Sequence, residues 1–118
     1  MERWRNFPVI LVLLVTVSLA GCGSADEPPA APENLTATAG ASVVTLDWDA
    51  VTDATSYNVY RSLSSGDLSS KILLASALTA TAYTDTNVTS GTTYYYQVTA
   101  ENSDGESNGS AEVSATPQ

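Results

Sequence analysis

Apolar and polar side chains alternate along the chain from residue 34 to its end. Val44, Leu46 and Trp48 alternate with polar neighbours, and Tyr94 begins a longer run of the same kind. Because successive side chains of a strand point to opposite faces, this alternation is typical of strands with one buried face. The spacing of an amphipathic helix is not sustained in this part of the chain. The pattern predicts strands near residues 34–39, 42–49, 56–62, 70–75, 80–84, 93–101 and 107–116.

Turn-forming sequences separate the predicted strands, among them the segments 64–67, 89–91 and 102–105, which are rich in Ser, Asn, Asp and Gly. Seven short strands between such turns predict an all-β sandwich of two packed sheets over residues 34–118. The phase of the alternation also assigns the core. The side chains that we expect to face inward are Trp48, Tyr57, Val59, Tyr94, Tyr96 and Val98.

The first part of the chain has a different pattern, with a short basic start followed by an apolar run. Arg3 and Arg5 precede a stretch from Val9 to Leu19 that is nearly all Val, Leu and Ile. This layout is typical of a secretory signal peptide, which we assign to residues 1–21 and expect to be helical. The apolar run is shorter than the roughly 20 residues that a helix needs to cross a membrane.

The apolar run closes on Leu19-Ala20-Gly21-Cys22, which contains the only cysteine of the chain. This tetrapeptide resembles the lipobox of bacterial lipoproteins. The resemblance implies that the thiol of Cys22 is acylated, that Cys22 becomes the first mature residue, and that lipid holds the protein on an extracytoplasmic membrane face in the cell envelope. Gly23 stands where lipoproteins of the inner membrane carry Asp, which favours the outer membrane in a Gram-negative cell. An ordinary secretory signal with an incidental Cys, or an uncleaved anchor, is the alternative.

Residues 22–33 have the composition of a linker. Between Gly23 and Glu33 the chain carries three prolines and three acids, and it has no large apolar side chain. Pro-rich segments of this kind favour extended, solvated backbone and do not build a core. We therefore expect a disordered tether between the lipid and the sandwich.

Five segments carry a family resemblance: 32–37, 44–48, 56–61, 83–85 and 91–102. Together they resemble a fibronectin type III domain, which implies an immunoglobulin-like sandwich. The resemblance implies that Trp48 packs in the middle of the core. It also places Tyr94 at the tyrosine corner, where its hydroxyl would bond to nearby backbone. The chain departs from the family at Ser90, where Pro is usual, and it lacks an Arg-Gly-Asp loop.

Composition excludes several classes of function. The chain has thirteen acidic and four basic residues, and of the basic ones Arg61 and Lys71 would remain after the leader is removed. Such a surface repels phosphates, so we expect no binding to nucleic acid. The chain has no His, which removes the commonest general base and the commonest metal ligand. One Cys cannot form an internal disulfide. We expect the domain to bind no cofactor and to be monomeric.

A pair of acids flanks Trp48 and is the strongest candidate for chemistry. If Trp48 points inward, Asp47 and Asp49 point outward on one face. Paired carboxylates could serve a glycosidase, or could bind calcium together with Asp53, but an open strand face supplies neither a cleft nor the six or more oxygens that calcium prefers. No serine lies in a Gly-x-Ser-x-Gly motif. We therefore interpret the acids as solvated and the chain as non-catalytic.

Two tyrosines are the candidates for a binding surface. Tyr60 and Tyr95 fall at positions that alternation turns outward, and exposed aromatic side chains often anchor protein interfaces. They are also common on the solvated face of a sandwich. We expect any recognition to involve these tyrosines together with loops 50–55, 63–69 and 102–106, because recognition is often carried by loops.

Three functions compete at this stage. The first is a membrane-anchored binding or spacer module for a protein or a polysaccharide. The second is an accessory module, or a partner, of a secreted carbohydrate-active enzyme. The third, an enzyme in its own right, would need a deep site with convergent acids, which the sequence does not indicate.

Overall fold

The computed structural model describes residues 27–118. The predictions of a helical leader at 1–21 and of lipidation at Cys22 lie outside these residues. Within them the chain forms β-strands and a single short 3-10 turn at Leu68–Ser70. The strands are β1 Thr36–Gly40, β2 Val43–Asp47, β3 Ser56–Ser62, β4 Ile72–Leu78, β5 Ala82–Asp85, β6 Tyr94–Asn102, β7 Gly105–Glu106 and β8 Val113–Ala115.

The strands make two antiparallel sheets that pack face to face, which confirms the predicted all-β sandwich. The smaller sheet has the order β1-β2-β5, and the larger has the order β8-β6-β3-β4 with β7 paired to β6. In the longest pairing Val59 lies opposite Val98, so their side chains share the inner face of the larger sheet. Strand β4 forms one edge of that sheet, and its register against β3 shifts twice between Tyr57 and Tyr60.

The core consists of the inward positions that alternation selects. Tyr96, Val98 and Val59 have no exposed surface, and Trp48 keeps 5%. The Trp48 ring meets the ring of Tyr57 edge-on, with centroids 5.6 Å apart. The six side chains that the sequence assigns to the core are all buried. The complete buried cluster is Leu35, Val44, Leu46, Trp48, Tyr57, Val59, Tyr94, Tyr96, Val98, Ala100 and Ala115.

The packed region begins before residue 34. Pro29 and Pro32, which the sequence places in the tether, are buried against the sandwich. The carbonyl of Glu33 accepts a hydrogen bond from the Asp49 N–H at 3.0 Å. Residues 29–33 therefore lie along the sandwich, because apolar proline rings and a backbone acceptor both find partners there.

Of the last predicted strand, 107–116, only Val113–Ala115 forms, as β8. The chain pairs briefly as β7, leaves strand geometry at 107–112 and returns as β8. In the gap, the Val98 N–H donates to Oγ of Ser110 at 3.0 Å, and the Ala100 N–H donates to Oγ of Ser107 at 2.9 Å. Two serine hydroxyls thus replace the carbonyl oxygens of a regular ladder. The period-two pattern cannot show this, because a serine there reads as an ordinary polar strand residue.

Loss of one of these hydroxyls should destabilise the domain. Ser110 is buried, so Ser110→Ala leaves the N–H of Val98 without a partner, and we expect a loss of about 1–3 kcal/mol in the free energy of unfolding. Urea denaturation followed by circular dichroism measures it. Ser114→Ala, an exposed position on β8, is the control and should stay within about 0.5 kcal/mol of the parent. Equal stabilities for the two variants would contradict the role of Ser110.

Candidate functional site

The outer face of the larger sheet carries both candidate tyrosines. Tyr60 on β3 pairs with Gln97 on β6, and Tyr95 lies two residues from Gln97 on the same face. Diagonal neighbours of this kind have Cα atoms roughly 7–8 Å apart. The two tyrosines are therefore neighbours, although each is half-buried instead of projecting freely into solvent.

The hydroxyl of Tyr60 is held by an intramolecular network centred on Glu106. Oε2 of Glu106 accepts hydrogen bonds from the Tyr60 hydroxyl and from Oγ1 of Thr99, each at 2.5 Å, and from Nδ2 of Asn58 at 3.2 Å. Burial, followed by the hydrogen bond and the charge of Glu106, raises the pKa of Tyr60 to about 12. The hydroxyl is therefore neutral and already engaged, which leaves only part of the ring for a ligand. Sequence reasoning missed Glu106, because nothing in its local pattern separates it from the other solvated acids.

The loop after β3 folds over the outer face and is tied to the chain before β8. The side chain of Lys71 is completely buried, and its Nζ donates to Oε2 of Glu112 at 2.6 Å and to the carbonyl of Gly66 at 2.7 Å. The same carboxylate accepts from the Gly66 N–H at 3.0 Å and from Oγ of Ser65 at 2.7 Å. This closure covers part of the sheet that alternation alone leaves open to solvent.

The closure makes stability depend on pH. Hydrogen bonds from Lys71 and Ser65 lower the pKa of Glu112 from 4.5 to about 2. A carboxyl with a lowered pKa contributes stability that is complete above about pH 4.5 and is lost as the pH falls toward 2. We expect Glu112→Gln to have a lower urea midpoint than the parent at pH 7. Near pH 2 the difference between the two midpoints should be smaller.

Asp104→Asn is the matched control, because Asp104 is an exposed acid for which no side-chain hydrogen bond to the rest of the described chain is found. Its difference from the parent should be small at both pH values. A deficit of Glu112→Gln that is as large at pH 2 as at pH 7 would contradict the ion pair as its cause.

The acids around Trp48 remain exposed. Oδ2 of Asp49 accepts a hydrogen bond from Nδ2 of Asn34 at 2.7 Å, and Asp47 and Asp53 face solvent. Within residues 27–118 no three Asp, Glu or Cys side chains are grouped so that they could hold a metal ion. Asp47, Asp49 and Asp53 do not converge on one cleft, so they lack the geometry of a paired acid and base.

An open polar depression of about 720 Å³ lies where two of the candidate loops meet. It is lined by Asp53 and Thr55 from one loop, by Glu101 and by Ser103 and Asp104 from the other. Nδ2 of Asn102 donates to the carbonyl of Asp53 at 3.3 Å and so connects the two loops. The sequence names loops 50–55 and 102–106 as candidates for recognition but does not indicate that they meet, and the depression between them is shallow and carries like charges.

A second groove, of about 450 Å³, has both aliphatic and polar side chains in its lining and includes Leu63 and Ser64 of the candidate loop 63–69. Leu63 and Ile72 line it together with Arg61, Tyr94 and three serines. Leu63 is 69% exposed, Ile72 67% and the adjacent Leu73 52%, and these are the large exposed hydrophobic side chains of the described residues. The run Ile72-Leu73-Leu74 could have indicated these exposed hydrophobic side chains. Three successive apolar residues in a strand must turn at least one toward solvent unless both faces are covered.

Below this groove, Tyr94 makes the bond that a tyrosine corner requires. Its hydroxyl accepts a hydrogen bond from the N–H of Thr89 at 2.8 Å, and the guanidinium of Arg61 lies 5.0 Å from the centre of its ring. The fibronectin type III sequence model matches residues 30–116. The chain belongs to the fibronectin type III family. Its match starts four residues before the predicted boundary at 34, in agreement with the buried prolines.

Two bacterial enzymes contain segments similar to this fibronectin type III domain. A poly(3-hydroxybutyrate) depolymerase of Ralstonia pickettii is 42% identical over 114 residues, which are 94% of this chain and 22% of the depolymerase. An amylopullulanase of Thermoanaerobacter thermohydrosulfuricus is 49% identical over 85 residues, which are 71% of this chain and 6% of that enzyme. The chain therefore spans less than a quarter of either relative.

Solved structures show similar domains both alone and within an enzyme. A Fn3-like protein from Clostridium thermocellum has a TM-score of 0.67 and 39% identity, and the match covers 76% of this chain and 95% of that one. The fibronectin type III fold is thus complete as a separate unit. A β-1,2-glucanase from Parabacteroides distasonis has a TM-score of 0.64 and 33% identity, with 75% of this chain and 13% of the glucanase covered. Within residues 27–118 we find no helix long and apolar enough to cross a membrane.

Proposed function

We propose that this chain is a non-catalytic accessory module of an extracellular polymer-degrading enzyme system, held at the cell envelope by lipid on Cys22. The observation that carries the proposal is the similarity of 94% of the chain to a segment that makes up 22% of a depolymerase. Amylopullulanases and a glucanase contain similar segments of 6% and 13% of their length. Association with large polymer-degrading enzymes is what these relatives share.

The chemistry of the described residues supports a module without a reaction of its own. Glu106 is occupied by three donors, Glu112 by the buried Lys71, and the acids beside Trp48 stand on an open face. The polar depression gathers carboxylates without a basic partner among its lining residues. Side chains that are paired with one another in this way hold loops in place. A spacer or a docking module needs such fixed loops and no reactive group.

The proposed anchor rests on the sequence of the leader. Cys22 is the single thiol and follows Leu19-Ala20-Gly21, and two or three acyl chains on it would hold the protein durably. Residues 23–28 would then separate the lipid from the first buried proline, Pro29. Tethering would keep the module, and any enzyme bound to it, close to the cell that takes up the products.

Two measurements on envelope fractions test the anchor. We expect the chain to sediment with membranes and its N-terminal peptide to begin at Cys22 with a mass increase equal to diacylglycerol plus a fatty acyl group. Cys22→Ser should abolish the modification. An unmodified mature N-terminus elsewhere in the chain would refute the lipid anchor and would leave the accessory role intact.

The accessory role is tested by activity. Chain purified from solubilised envelopes of its own cells should carry hydrolase activity on starch, pullulan or poly(3-hydroxybutyrate), whereas recombinant residues 27–118 should release no product from them. Product release by the recombinant domain would show that it is itself an enzyme. Envelope material without activity on any of the three polymers would refute the accessory role.

A further inference from the structure

The groove beside β4 exposes the aliphatic side chains of Leu63 and Ile72 to solvent. Strand β4 forms one edge of the larger sheet and reads Ile-Leu-Leu-Ala-Ser-Ala-Leu, without a charge or a proline. Edge strands of soluble proteins are usually protected by charges or prolines, so an uncharged edge with exposed aliphatic side chains is unusual. Exposed apolar groups of this kind indicate an interaction surface.

Charge limits what can occupy this groove. The two basic residues of the described chain lie beside it, and each is already paired, Arg61 with Asp85 and Lys71 with Glu112. The groove is therefore close to neutral, whereas the chain as a whole carries a formal charge of −9. An anionic lipid surface or a second copy of this chain would be repelled, and a neutral ligand would not.

The lining of the groove combines aliphatic surface with hydrogen-bond donors. Leu63 and Ile72 supply the apolar part. Within the described residues, the hydrogen bonds of the Arg61 guanidinium are made by Nη1, to Oδ2 of Asp85 and to the carbonyl of Asn87. A guanidinium has five N–H donors, so Nε and Nη2 can still donate. Such a lining fits a ligand that alternates aliphatic units with neutral carbonyl acceptors.

We infer that this groove, formed by Leu63, Ile72 and Arg61, binds the surface of an aliphatic polyester such as poly(3-hydroxybutyrate). The inference rests on the proposed accessory function and specifies its substrate. A polyester is neutral, its methyl-bearing units match the leucine and isoleucine, and its ester carbonyls can accept from Arg61. A glycan fits less well, because flat aromatic faces bind sugar rings and the large exposed hydrophobics among residues 27–118 are aliphatic.

Granule binding tests the inference. Recombinant residues 27–118, the unit that folds separately in the Clostridium thermocellum protein, should co-sediment with amorphous poly(3-hydroxybutyrate) granules and not with starch granules. Leu63→Ser with Ile72→Ser should weaken retention about tenfold or more, because two exposed aliphatic side chains lose their contact with the polymer. Both residues are exposed, so the fold should survive, and circular dichroism checks it.

Two matched controls separate the groove from other surfaces. Ala41→Ser with Ala111→Ser changes two exposed apolar positions outside the groove and should retain parental binding. Tyr95→Ala removes one of the two candidate tyrosines of the outer face and should also bind the polyester normally. Loss of binding in Tyr95→Ala alone would move the site to the tyrosines and overturn the inference.

Three further results would also overturn it. These are equal retention of the parent and the groove variant, retention on starch but not on polyester, and a concentration-dependent dimer, measured by analytical ultracentrifugation, that the groove substitutions abolish. The last result would identify a second copy as the occupant. Each can occur while envelope-purified chain still carries hydrolase activity, so the inference and the accessory role fail independently.

Discussion

Trp48→Ala is expected to remove most of the stability of the domain. The indole is 5% exposed, lies just after β2 and packs edge-on against Tyr57, so it fills the space between the two sheets. Truncating a buried Trp leaves a cavity and costs about 3–5 kcal/mol. A small domain has a total stability of only about 5–15 kcal/mol, and one of this size lies toward the lower end.

Thermal denaturation followed by far-ultraviolet circular dichroism measures the loss, since the substitution removes the only Trp of residues 27–118 and with it most of the fluorescence. Trp48→Phe is the control. It keeps an aromatic ring against Tyr57 and removes a buried indole N–H for which no partner is found among the described residues, so we expect roughly half the loss or less. A melting curve of Trp48→Ala close to that of the parent would show that this side chain does not support the core.

The buried side chains of the sandwich could be predicted from the sequence, because burial and alternation have the same cause. A strand between a core and solvent must place apolar groups at every second position, so Val44, Leu46 and Trp48 predict one face, and Tyr94, Tyr96 and Val98 predict the opposite one. The limits of the strands follow less directly from alternation. β4 begins after the 3-10 turn and runs to Leu78, three residues beyond its predicted end, since the polar residue Ser76 does not stop a strand at a sheet edge.

Side-chain contacts between distant segments could not be predicted in this way. Glu112 and Lys71 are 41 residues apart, and nothing in either local sequence indicates that the loop after β3 closes over the sheet. The same holds for Ser107 and Ser110, whose hydroxyls occupy positions that a regular strand gives to carbonyl oxygens. Alternation describes one strand at a time, whereas these contacts depend on which segments the topology brings together.

One buried ion pair did leave a signal in the sequence. Arg61 continues the inward phase of Tyr57 and Val59, and Asp85 continues that of Tyr83, so alternation places both charges between the sheets. The structure joins them. Nη1 of Arg61 donates to Oδ2 of Asp85 at 2.8 Å, the Tyr96 hydroxyl donates to the same oxygen at 2.8 Å, and Asp85 is 1% exposed. Burial, followed by the bond to Asp85, raises the pKa of Tyr96 above its ordinary value, which keeps the hydroxyl a donor.

Asp85→Ala should therefore destabilise the domain by about 3–5 kcal/mol, because it leaves the Arg61 guanidinium without its counter-ion and the buried Tyr96 hydroxyl without its acceptor. Urea denaturation at neutral pH, with the domain well below its melting temperature, measures the loss. Arg61→Met should cost less, since Asp85 keeps the hydroxyl of Tyr96 and the N–H of Asn87 as donors.

The double variant, Arg61→Met with Asp85→Ala, decides whether the pair acts as a unit. Removing both charges leaves no uncompensated ion, so the double variant should lose clearly less stability than the two single losses added together. Strict additivity would mean that each side chain acts through separate contacts. The apolar faces alone would then hold the two sheets together, and the ion pair at the end of the core would add no stability as a pair.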